Sequence, residues 1–159
     1  TIKALFRAGK PKPSGKTHVT ALVRKDEGWF GGAAKAPDVL RDDNVLTEGD
    51  LQLYGSALKK NGFFGPCSYY MNHAKNAEYA SQEKNGGVLE MPVLFLPATY
   101  DYTCECIESN LAKPMTEYCN NLTTLKIDSG HWMAQEKPLA VNAALVRWLA
   151  ADVVEHWPS

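Results

Sequence analysis

The residues best suited to chemistry in this chain are an imidazole and a carboxylate that end two predicted strands. An apolar run, Val93-Leu94-Phe95-Leu96, leads into a turn carrying Asp101, and a second short strand, Leu122 to Ile127, ends in Asp128-Ser129-Gly130-His131-Trp132. A carboxylate beside an imidazole is what a hydrolytic site uses. His131 would take a proton, while Asp101 would fix the tautomer of the ring and steady its positive charge. Asp128 also ends a strand near His131 and competes for the orienting role. Asp101 ranks first because neighbouring strands present side chains across one crevice. Taken alone, a histidine between glycine and tryptophan reads as structural. No nucleophile in a suitable setting accompanies the pair.

The elements that must position these groups follow from local pattern. Val93–Leu96 is apolar at every position, as strands covered on both faces tend to be. The 24 residues from Ala98 to Asn121 suffice for a crossover helix, so the two strands should run parallel. A final helix from Pro138 presents Val141, Ala144, Leu145, Trp148 and Leu149 on one side, a stripe that packs on a sheet. Two strands cannot make a doubly covered sheet alone, so further strands are expected from sequence outside this chain. Upstream, Ile2–Phe6 reads as a short helical start. Thr47 reads as an N-cap with Glu48 and Asp50 in the first turn, Leu51, Tyr54 and Leu58 as the buried stripe, and Asn61-Gly62 as the stop. A second helix is expected from Pro66 through Tyr69, Tyr70 and His73 toward Tyr79. Asn85-Gly86-Gly87 breaks the chain and marks a boundary between residues 1–86 and 87–159.

Composition excludes several classes. The chain has 159 residues, 45% of them hydrophobic, enough for a core of ordinary domain size. With 17 basic and 18 acidic residues and a net charge of −1, bulk charge gives no basis for binding nucleic acid or an anionic membrane. No apolar run approaches the roughly 18 residues of a membrane helix. The opening, Thr1-Ile2-Lys3-Ala4-Leu5-Phe6-Arg7, has neither Met nor a signal-peptide pattern and reads as the middle of a longer protein, expected to be cytoplasmic.

Other motifs carry less. Gly15-Lys16-Thr17 invites a phosphate-loop reading, but Gly9 precedes Gly15 with five residues between rather than four, two prolines interrupt, and no apolar strand feeds the turn. A mobile, protease-sensitive loop is the better reading. Cys67, Cys104, Cys106 and Cys119 form no metal pattern, since Cys104-Glu105-Cys106 is one residue short of the C-x-x-C spacing. They read as free thiols, and no metal is expected. Asn121-Leu122-Thr123 is a formal glycosylation sequon at the start of a strand expected to be buried, and reads as chance. His18, His73 and His156 fit surface or packing roles, and Trp29 and Trp148 read as packing residues.

Read together, Met91-Pro92-Val93-Leu94-Phe95-Leu96-Pro97 with Asp101, and Ser129-Gly130-His131-Trp132 with Gln135-Glu136-Lys137-Pro138 and Val141-Asn142, resemble the last third of an α/β-hydrolase. More narrowly, they resemble the soluble epoxide hydrolases. Gly62-Phe63-Phe64-Gly65-Pro66 followed by Tyr69-Tyr70-Met71-Asn72 is similar to that family's cap motif, in which a glycine-proline turn precedes the helix bearing an epoxide-binding tyrosine. The resemblance runs from about Val45 to Leu149. It implies an α/β fold: the C-terminal portion of an α/β-hydrolase, residues 87–159, with residues 1–86 as part of a helical cap that includes a flexible N-terminal loop.

The resemblance also implies a mechanism. An aspartate opens the epoxide to give an alkyl-enzyme ester, two cap tyrosines bind the ring oxygen, and a histidine–acid pair activates the water that releases a vicinal diol. Here His131 resembles the base, Asp101 its acid and Tyr70 one donor, with Tyr69 and Trp132 expected beside the substrate. Tyr70 as an ordinary core aromatic is the bland alternative. No cofactor is implied. The nucleophilic aspartate is expected upstream, on a companion N-terminal chain, so that this chain alone is inactive; a proteolytic break near the Pro/Lys loop would account for the split. The substrate would be a small hydrophobic epoxide. Alternatives on the same fold are a haloalkane or haloacid dehalogenase, an esterase, or a non-catalytic ligand receptor.

Overall fold

The computed structural model describes residues 1–11, 23 and 25–154. The Gly15-Lys16-Thr17 segment, His18 and His156 lie outside the described residues. The order of elements is α1 (Ile2–Leu5), α2 (Glu48–Asn61), α3 (Phe64–Tyr69), α4 (His73–Ala80), β1 (Leu89–Phe95), α5 (Lys113–Tyr118), β2 (Cys119–Thr124), α6 (Met133–Glu136) and α7 (Pro138–Trp148). A π-helical turn, Leu149–Val153, extends α7.

Helix α2 starts where its cap chemistry places it. Thr47 accepts from the Asp50 amide while the Asp50 carboxylate accepts from the Thr47 amide, so two orphan donors are satisfied reciprocally. Gly62 ends it with φ of 69°, a conformation that favours glycine. The single helix expected from Pro66 to Tyr79 is in fact two. Tyr70 closes the turn after α3 with its amide bonded to the Cys67 carbonyl, and α4 begins at His73. Asn85, Gly86 and Gly87 all have positive φ, which makes the break before β1.

Strands β1 and β2 pair in parallel, as their long connection requires, with Val93 opposite Leu122 and Phe95 opposite Thr124. The register shifts between Leu89 and Pro92, where proline has no amide to give the ladder. The expected crossover helix is present but short. Only α5 and a 3-10 turn at Asn110–Ala112 are helical; the Glu105 side chain holds the preceding loop by accepting from the amides of Ile107, Glu108 and Ser109.

Val93–Leu96 is half-buried rather than covered on both faces, and Asn121 of the sequon is exposed on β2. Among the described residues the sheet has these two strands. The buried set is small: Val45, Leu46, Pro97, Ala98, Cys119, Ile127, Ser129, Gly130 and Ala144, with Leu46 and Ser129 fully enclosed. Of the expected α7 stripe, Ala144 is buried and Leu145 remains exposed. Trp29, read as a packing residue, is about half exposed. No helix among the described residues is long and apolar enough to cross a membrane.

Candidate active site

The ladder between β1 and β2 continues beyond the named strands, and that continuation builds the site. Leu125 donates to the Phe95 carbonyl, Ile127 to Pro97, Thr99 to Ile127 and Tyr100 to Ser129. The last of these bonds lies one residue before Asp101 and two before His131. Two side chains thirty positions apart are thereby set side by side. His131 Nδ1 lies 2.9 Å from Asp101 Oδ2.

Both oxygens of the carboxylate are engaged. Asp101 Oδ1 accepts from the amides of Thr103 and Cys104, both at 2.9 Å, an Asx-type turn that locks the side chain toward the imidazole. An acceptor-only Asp101 demands a proton on Nδ1 of His131, which leaves Nε2 with a free lone pair. Asp101 is largely enclosed, with 12% of its side chain exposed, whereas His131 is 37% exposed and open to solvent. A buried orienting acid beneath an accessible ring suits a general base. The competitor Asp128 points elsewhere: its Oδ1 accepts from Thr99 Oγ1 at 2.7 Å.

Trp132 lies edge-on to His131, with ring centroids 5.1 Å apart. Its face stacks on Phe6 at 3.7 Å and its indole N–H donates to the Leu5 carbonyl. Tyr70 and Tyr69 are exposed on and after α3, their rings edge to face at 5.4 Å. Among the described residues neither tyrosine shares a hydrogen bond with His131 or Asp101.

Two contributors escape the sequence reading. Glu136 Oε2 accepts from the amides of Gly130, at 2.8 Å, and Gly9, at 2.9 Å. Gly9 and Gly130 cross so closely that a Cβ on Gly9 would lie 2.3 Å from the Gly130 nitrogen. The backbone just before His131 is thus held by one carboxylate and wedged against residue 9. These contacts cross the expected division at residue 86. Cys104 is the second. Its thiol, expected to stand outside any ligand pattern, lies with Asp101 and His131 such that one donor atom from each falls within 4.8 Å of the others. Burial, and then the Asp101 charge, push that thiol above its ordinary pKa.

No protein-family model matches the chain. Bifunctional epoxide hydrolase 2 of Sus scrofa is 31% identical over 154 residues, covering 96% of this chain and 26% of the relative. Epoxide hydrolase B of Mycobacterium tuberculosis is 33% identical over 108 residues, 65% of this chain and 29% of the relative. The chain is a homologue of the epoxide hydrolases. It spans about a quarter of the length of the curated epoxide hydrolases it matches. Among solved structures, a Vigna radiata epoxide hydrolase mutant superposes with a TM-score of 0.61 at 23% identity, covering 94% of this chain and 44% of that one. The fold is a portion of the α/β-hydrolase fold of epoxide hydrolases.

Proposed function

We propose that this chain supplies the base, its orienting acid and one oxygen-binding tyrosine of an epoxide hydrolase that works through an alkyl-enzyme ester. The observation that carries the reading is the 2.9 Å contact between His131 Nδ1 and Asp101 Oδ2 at the ends of two paired strands, in a homologue of epoxide hydrolases. The attacking aspartate comes from sequence outside these 159 residues, on an N-terminal companion segment, and the chain by itself is inactive. Of the carboxylates around His131, Asp101 orients the ring, Asp128 is engaged by Thr99 and Glu136 holds backbone amides.

The chemistry balances without a cofactor. The external carboxylate attacks one epoxide carbon, the ring C–O bond breaks, and Tyr70, with a second donor from outside, hydrogen-bonds the oxygen as it becomes alkoxide and then takes up a proton. His131 Nε2 next removes a proton from water, whose oxygen attacks the ester carbonyl. The ester C–O bond breaks, and the leaving oxygen takes the imidazolium proton to complete the diol. The carboxylic acid so formed releases a proton that replaces the one the alkoxide took from the phenol. Asp101 steadies the imidazolium. Exposure of the Tyr70 phenol leaves its O–H available for that bond. Tyr69 and Trp132 lie beside the substrate, a small hydrophobic epoxide. Residues 1–86 belong largely to a helical cap and 87–159 to the core, with the first ten residues docked on the core. A cytoplasmic protein fits this reading.

A single turnover in water carrying heavy oxygen tests it on a polypeptide that joins these residues to the completing sequence. The first diol released should be unlabelled, because its new oxygen comes from the carboxylate. Direct incorporation of label into that first diol would overturn the ester route.

A further inference from the structure

We infer that Asp101, Cys104 and His131 form a three-donor site for a thiophilic divalent cation of the Zn²⁺ class, and that occupancy switches the base off. The inference rests on the site reading above but uses a side chain that reading leaves idle. One donor atom from each residue lies within 4.8 Å of the others. A tetrahedral ion bound to nitrogen, oxygen and sulfur holds neighbouring donors about 3.5 Å apart. The carboxylate–imidazole pair stands at 2.9 Å and the third donor within 4.8 Å of both, so the three bracket the spacing such an ion imposes. Cys104 and His131 are both exposed, which gives the ion a path in, and three protein donors leave a fourth position for water. The mixture of thiolate, imidazole and carboxylate selects a borderline-soft metal over magnesium or calcium.

The consequence for catalysis follows from proton placement. The imidazole atom facing Asp101 is Nδ1, and an acceptor-only carboxylate assigns the ring proton to it. An ion there displaces that proton, which the ring takes up again on Nε2 through solvent, and the Cys104 thiol releases its own to solvent. A neutral imidazole metallated at Nδ1 carries its one proton on Nε2. Nε2 then becomes a donor and can no longer take a proton from water. The site is therefore inhibitory, and it depends on a residue three positions after Asp101 that catalysis does not need.

The test uses the full-length polypeptide with Co²⁺ as a spectroscopic probe and Zn²⁺ as the inhibitor. A thiolate-to-cobalt charge-transfer band should appear in the near ultraviolet. Cys104→Ser should abolish it, Cys106→Ser should retain it, and His131→Gln should weaken Co²⁺ affinity by about tenfold or more. Zn²⁺ should suppress epoxide turnover reversibly, with chelator restoring it, and Cys104→Ser should raise the required Zn²⁺ by at least about tenfold. Absence of the band, or a band that survives Cys104→Ser, would overturn the site. Circular dichroism of each variant separates ligand loss from misfolding, and Cys104→Ala gives a second thiol-free form. A metal band in a protein that turns over no epoxide would leave the ion site standing and remove the hydrolase reading; the opposite pattern would do the reverse.

Discussion

His131 Nδ1 and Asp101 Oδ2 stand 2.9 Å apart because the pairing of their strands continues to the bond from Tyr100 to the Ser129 carbonyl. Under the proposed mechanism, that geometry leaves one nitrogen of the imidazole to act as base. Replacing His131 with Gln should leave ester formation intact and slow its hydrolysis by about 10²–10⁴-fold. Mass spectrometry of the intact protein after mixing with an epoxide should then find a stable covalent adduct; a free enzyme turning over at the parent rate would refute the base.

Asp101→Asn tests the tautomer. The carboxamide oxygen would be drawn to the amides of Thr103 and Cys104, which now bond Oδ1. Its NH2 would then face Nδ1, forcing the imidazole proton onto Nε2. Activity should fall by about 10³–10⁴-fold with the fold retained. Imidazole nitrogen shifts in NMR should report the tautomer change.

Tyr70→Phe removes one hydroxyl from an exposed side chain. Thermal stability should change by less than about 0.5 kcal/mol, while epoxide opening slows by about a hundredfold. Pre-steady-state measurement of ester formation separates this from any effect on hydrolysis.

Gly9→Ala places a methyl group against the Gly130 backbone at 2.3 Å, and neither neighbour is a side chain that can swing away. A loss of about 1–3 kcal/mol is expected from overpacking. Glu136→Ala should cost about the same by stranding the amides of Gly9 and Gly130, and Glu136→Gln less, since an amide oxygen still accepts. Denaturant melts of the three variants provide the comparison.

Asp42 predicts an acid response. Its burial raises its pKa, but bonds from the Ala8 amide and from Asn44, with the Arg7 charge, outweigh that and hold it below its ordinary 3.8. A depressed carboxylate contributes stability above its unfolded pKa and loses it as pH falls through the folded one. The tie between Ala8 and Asp42 should therefore persist through neutral and mildly acidic solution and release only below pH 3.8. The Ala8 amide shift, followed by NMR on lowering the pH, should move with that midpoint.

Much of the framework is legible locally. The run Val93–Leu96 announces a strand, the Thr47–Asp50 box announces α2, and a long connection dictates parallel pairing. What fails is set by distance or by competition. Helix α3 stops at Tyr69 because the chain turns through Tyr70, Met71 and Asn72 before α4, and helical spacing of aromatics does not register such a break. The crossover loop gives its amides to Glu105, where a pattern of polar residues says little about helix. Glu136 stands in the sequence only as part of a motif, since a carboxylate that bridges Gly9 and Gly130 leaves no trace in local periodicity. Cys104 reaches His131 only through the Asx turn at Asp101, a relationship that counting cysteines cannot reveal.

The bond between Gly9 and Glu136 joins residues 127 positions apart. Closing so long a span comes at an entropic cost, and contacts of that kind form late in folding. The histidine segment is thus fixed in part by a contact that its own neighbourhood in sequence cannot supply. Protection from solvent exchange at the Gly9 and Gly130 amides should vanish in one step, and a form in which residues 1–10 have detached should retain its strands yet misplace its imidazole.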